Sequence, residues 1–149
     1  MRELMQIASR LGVRVHVAHI DNPNRLGFYS HKNRVIVLRL GLTPFELRSV
    51  LAHELIHASW GDECGGTTDD KKMERRADRL AAEMLVSPEA YAAAEFLDPS
   101  PAAIADELGV TVEIIETYQS ECLQRLGRRT YGRSWRNGLH GDLARQLSS

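Results

Sequence analysis

Thr43-Pro44-Phe45-Glu46-Leu47-Arg48-Ser49-Val50-Leu51-Ala52-His53-Glu54-Leu55-Ile56-His57 reads as the start and body of one helix. Thr43 stands where an N-cap belongs, Pro44 takes the first helical position, and Glu46 is placed to reach back to the cap. Leu47, Val50, Leu51 and Leu55 then repeat at helical spacing and supply an apolar stripe. The spacing predicts a helix that runs to about Ser59 and stops before Gly61. On such a helix His53 and His57 lie one turn apart on the same face, so both imidazoles can reach one ion. Glu54, between them, is placed to take a proton from a water activated by that ion.

A second helix is predicted from about Asp69 to Val86, with Ala77, Leu80, Ala81, Met84 and Leu85 facing inward and Pro88 beyond its end. Upstream of residue 43 the pattern changes. Residues 2–11 form a short amphipathic helix ended by Gly12. Val13, Val15 and Val17 alternate with Arg14 and His16, as in a half-buried strand. Two further strands, Leu26–Ser30 and Arg34–Leu40, flank a turn at His31-Lys32-Asn33. The expectation is an α+β fold, with a small N-terminal antiparallel sheet packed on a helical core.

Pro99 to Leu126 reads as two helices joined at Gly109, in the manner of a helix-turn-helix. The helix after that turn carries Glu113, Glu116 and Glu121, and a face of that charge would repel phosphate. It is therefore read as a packing or substrate-holding segment, with no direct DNA binding. The chain divides into a core at 1–98, this segment at 99–127, and a basic tail at 128–149. The tail has Arg128, Arg129, Arg133 and Arg136 around Tyr131 and Trp135, is expected to dock loosely or be disordered, and could touch nucleic acid or an acidic partner.

Composition sets the class. The chain has 149 residues, 43% hydrophobic and 26% charged, as in an ordinary globular protein with one core. A net charge of -1 gives no general attraction to nucleic acid or to an anionic membrane. The longest aliphatic run, Val35 to Leu38, is far too short to span a bilayer. Met1-Arg2-Glu3 does not open an apolar leader. Two cysteines, Cys64 and Cys122, make no disulfide framework. These features predict a cytoplasmic protein with reduced thiols.

A catalytic zinc needs a third protein donor and an open position. A metzincin pattern would place Gly and His three and six residues beyond His57, where Trp60 and Glu63 stand. Asp69 or Asp70 would serve an aspzincin-like site, but the Tyr-Gly that should follow is missing. Glu74 is the favoured donor. Four residues on, Asp78 can reach a ligand histidine from behind and fix its tautomer.

His53-Glu-Leu-Ile-His57, taken with Glu74-Arg-Arg-Ala-Asp78 and the aliphatic run ending at Pro88, resembles the ImmA/IrrE-like zinc metallopeptidases. The segment Gly27 to Leu51 is also similar, and the likeness covers roughly residues 3–126. The Glu-to-Asp spacing resembles the wider gluzincin arrangement as well. The SprT-like proteins share a similar His-Glu-Leu-Ile-His-Ala stretch but need a third histidine soon after, and the next one here is His140. Ile56 stands where the family often has Gly, and the loop between the two motif helices is short.

The resemblance implies site-limited cleavage of a transcriptional regulator, of the phage or mobile-element repressor type. Residue spacing by itself implies metal-assisted hydrolysis, with Zn(2+) as cofactor, His53, His57 and Glu74 as ligands, and Glu54 as general base. Tyr29, His19, His31 and His140 are candidates for stabilising the oxyanion. The strand with Phe28 and Tyr29 could hold an extended substrate by edge pairing. From a different class of function, the same site could stabilise a module that sequesters a regulator without cutting it.

Overall fold

The computed structural model describes residues 1–63, 68–126 and 129–132. At its centre is helix α2 (Pro44–Trp60), which begins as the sequence dictates. Thr43 is extended and accepts a hydrogen bond from the Glu46 amide, while the Glu46 carboxylate accepts one from the Thr43 amide at 2.8 Å. Gly61, at φ 66°, ends the helix in the left-handed conformation that glycine adopts without strain. Leu51, Ala52, Leu55 and Ile56 are fully buried, so α2 is packed on several sides.

One side is covered by a three-stranded sheet, preceded by α1 (Arg2–Arg10). The strands are β1 (Arg14–Ala18), β2 (Gly27–Ser30) and β3 (Val35–Arg39), in the order β1-β3-β2. β2 and β3 form the expected hairpin, antiparallel, with Tyr29 opposite Ile36. β1, however, pairs parallel to β3, from Arg14 opposite Val35 to Ala18 opposite Arg39. The sheet is therefore mixed, where the sequence reading had it wholly antiparallel. The physical reason lies in the 19–26 connection, which carries the chain across to the far side of β3. Arg39 pins this connection through the carbonyls of Arg25 at 3.0 Å and Ile20 at 3.4 Å. β3 takes the central place because Ile36 and Leu38 bury completely on the helix side.

Helix α3 (Thr68–Leu85) lies along α2 and closes the core with Ala77, Leu80, Ala81 and Ala82. The architecture is α+β. A short helix that the sequence reading left unassigned follows, α4 (Pro88–Leu97). Ser87 caps it by accepting from the Ala90 amide, and Pro88 starts it. Then come α5 (Pro101–Leu108) and α6 (Val112–Thr117), joined at Gly109. Arg48 of α2 ties this joint to the core by donating to the carbonyls of Leu108 and Gly109 at 2.9 and 3.2 Å.

The helix beyond Gly109 does not continue to Leu126 as expected. It loosens into one π-helical turn at Tyr118–Cys122 and gives way to β4 (Leu123–Leu126), which pairs with β5 (Arg129–Gly132). Residues 129–132, expected to be tail, are thus a strand, while Arg128 and residues 133–149, with Arg133, Trp135, Arg136 and His140, lie outside the described residues. So does Cys64, while Cys122 is buried, with its Sγ 3.7 Å from the Arg79 carbonyl oxygen. No helix among the described residues is long and apolar enough to cross a membrane.

Candidate metal centre

α2 and α3 bring together the side chains that the spacing singled out. The Nε2 atoms of His53 and His57 stand 3.1 Å apart. One Glu74 oxygen lies 3.1 Å from His53 Nε2 and the other 2.9 Å from His57 Nε2. These three residues offer donor atoms that all lie within 4.8 Å of one another. Donors about 2.0–2.1 Å from a tetrahedral zinc are roughly 3.3 Å from each other, so this set fits one such ion after shifts of a few tenths of an ångström. Asp70 does not belong to this group, and the Asp69 side chain lies outside those described.

Each imidazole is also held from behind. His53 Nδ1 is 2.9 Å from Asp78, as the four-residue spacing from Glu74 predicts. His57 Nδ1 is 2.9 Å from Asp62, a residue that sequence reasoning missed. Each Nδ1 has a carboxylate to receive its proton, so loss of the Nε2 proton would leave both Nε2 lone pairs on the Glu74 side, the tautomer a metal requires. The signal for Asp62 was the helix stop: behind the left-handed Gly61, the Asp62 amide returns to the His57 carbonyl at 3.0 Å and carries its carboxylate back over that ring.

The cluster is strongly coupled. Burial disfavours a charged His53, but the hydrogen bonds to Asp78 and Glu74 outweigh it and hold its pKa up at about 10. His57 is raised too, because Glu74 and Asp62 overcome its burial. The same hydrogen bonds keep Glu74 far below the usual carboxylate range. Glu54 is only 7% exposed, and its pKa rises because burial outweighs the attraction of the neighbouring histidines.

These residues open onto a cleft of about 600 Å³. The chain from Asn24 to Tyr29 forms one part of its lining, and Thr111, Glu113, Ile114 and Thr117 of the α6 region another. This is the segment that the sequence reading took as packing or substrate-holding. Both Phe28 and Tyr29 reach the cleft, but they lie on opposite faces of β2. Tyr29 pairs with Ile36 and faces the helices, whereas Phe28 pairs with Val37 and turns outward beneath the Arg25 guanidinium. Of the oxyanion candidates, Tyr29 alone lines the cleft among the described residues. His31 lies 2.9 Å from the Tyr29 hydroxyl, against Gly61, and His19 pairs with Asp21 in solvent.

A peptidase family model described as the IrrE N-terminal-like domain matches residues 8–117, from α1 to the end of α6. That span includes every residue of the cluster and the cleft. No curated protein and no solved structure matches the chain.

Proposed function

The chain belongs to the IrrE N-terminal-like peptidase family, and from that premise we propose that it is a zinc-dependent peptidase with His53, His57 and Glu74 as ligands and Glu54 as general base. The observation that carries this reading is the meeting of two imidazole Nε2 atoms and one carboxylate beside a buried glutamate on the wall of an open cleft. When bound, the ion supplies Lewis-acid polarisation of the scissile carbonyl and acidifies water. Glu54 takes the proton of the attacking water and passes it to the leaving amine. Its raised pKa brings it closer to the range in which both transfers are efficient. Tyr29 is the proposed donor to the oxyanion.

The substrate is proposed to lie along β2. The Arg39 amide donates to the Leu26 carbonyl at 2.8 Å. Antiparallel alternation then turns the peptide groups of Gly27 and Tyr29 toward the free edge, where an extended chain can pair with them. We take residues 1–98 as the peptidase core and 99–127 as a helical segment packed on it that completes the cleft. The proposed substrate is a transcriptional regulator met in the cytoplasm, bound as protein and with no direct contact to DNA.

Incubation of the zinc-loaded protein with candidate regulators tests this, with fragments read by mass spectrometry. Cleavage should appear, stop on adding a chelator, and return with zinc. Tight binding of a regulator that is never cut would overturn the peptidase reading in favour of sequestration.

A further inference from the structure

Behind His57, on the side away from Glu74, three residues lock together. Arg76 Nη2 donates to both oxygens of Asp62, at 2.7 and 2.8 Å, and Asp62 in turn receives His57 Nδ1. The Arg76 guanidinium lies flat enough on Trp60 to bring its central carbon 3.7 Å from the ring centroid. The Asp62 side chain is 7% exposed, against 57% for Asp78 behind His53. Gly61 sets the turn, and a Cβ there would come within 3.3 Å of the His31 ring.

We propose that Asp62, Arg76 and Trp60 are positioning residues that fix the ring of His57 before any metal arrives, making His57 the preset anchor and His53 the adjustable ligand. A buried carboxylate is costly unless its oxygens are satisfied. Here they are satisfied by one cation and one imidazole N–H, which keeps a proton on His57 Nδ1 and leaves Nε2, on the Glu74 side, as the nitrogen a metal would take. Stacking on Trp60 restricts the guanidinium, and the guanidinium restricts Asp62. Asp78 is open to water, so the ring it holds can turn at lower cost. The inference rests on the zinc-site reading, but the Nδ1 proton can be measured without zinc.

Two measurements on the full chain test it: zinc affinity, by competition with a chromogenic chelator, and nitrogen NMR of the histidine rings in zinc-free protein. The parent should show His57 with a slowly exchanging Nδ1–H. Asp62→Ala should lose that signal and bind zinc roughly a hundred-fold more weakly, and Asp78→Ala about tenfold more weakly, the two ends of the usual range for such partners. Only one nitrogen of Arg76 meets Asp62, so Arg76→Lys keeps a donor but loses the stacked plane. It should speed Nδ1–H exchange and weaken zinc several-fold, and it carries the test should Asp62→Ala not fold. Parent-like affinity and exchange in a folded variant would overturn the proposal, as would a parent His57 that carries no proton on Nδ1. A parent that binds no zinc would sink the metal reading, while the ring signal would still decide the positioning role.

Discussion

Gly27 of β2 lies so close to Val50 of α2 that a Cβ at residue 27 would stand 2.7 Å from Val50 Cγ1, and 3.0 Å from the Val37 carbonyl oxygen. The cleft lining contributed by β2 is thus set by the absence of a side chain. Gly27→Ala must push β2 away from the helix. It should cost about 1–3 kcal/mol of stability, the usual scale for overpacking, and reduce cleavage further by displacing Tyr29. Urea unfolding beside a cleavage assay checks this; unchanged stability and turnover would mean that β2 moves freely.

Glu74→Ala removes one of three proposed donors. Zinc affinity should fall on the order of a hundred-fold or more, at least matching the ten- to hundred-fold typical of an outer partner. Chelator competition measures it. Unaltered affinity would send the search for the third ligand back to Asp69 or Asp70.

Zinc binding should strengthen as pH rises. In the metal-free protein His53 keeps its proton up to about pH 10, against 6.5 for an unperturbed imidazole. That proton's contribution to stability is complete below pH 6.5 and is lost as pH climbs to 10. Glu74 works in the opposite sense: its depressed pKa stabilises the fold above about 4.5 and ceases to do so in acid. A metal needs the neutral imidazole and must displace the proton. Apparent affinity should therefore rise by up to about tenfold per pH unit between pH 6 and 8, and the zinc-induced rise in Tm should grow with it. A pH-independent affinity would show that His53 is not displaced.

Thr43→Ala removes the side chain that caps α2 and should cost about 1 kcal/mol. Thermal or urea unfolding reads it directly. An unchanged midpoint would mean that burial of α2 alone fixes where the helix begins.

The features legible in the sequence were local ones. Thr43, Pro44 and Glu46 determine a helix start among themselves, and the four-residue steps from His53 to His57 and from Glu74 to Asp78 need only helical periodicity. The β2–β3 hairpin was legible for the same reason. β1 was not, because alternation at Val13, Val15 and Val17 says which residues face inward and nothing about which strand, or which direction, lies beside them. Asp62 was missed because its role depends on the path of the chain after Gly61 and on Arg76, fourteen residues away. The lining from Thr111 to Thr117 depends on Arg48 fastening Leu108 and Gly109 to α2, a contact between residues sixty apart. Leu123–Leu126 continues an apolar pattern that fits a helix, yet tertiary pairing with 129–132 makes it a strand.

The central claim is that Glu54 moves the proton in a metal-assisted hydrolysis. Glu54→Gln keeps the shape of the side chain and leaves His53, His57 and Glu74 untouched. The decisive measurement is its turnover on a substrate cut by the parent, at equal zinc content. The account predicts one zinc per chain in both proteins and a loss of roughly two to four orders of magnitude in turnover, the usual scale for a general base. Cleavage by Glu54→Gln at the parent's rate would contradict it.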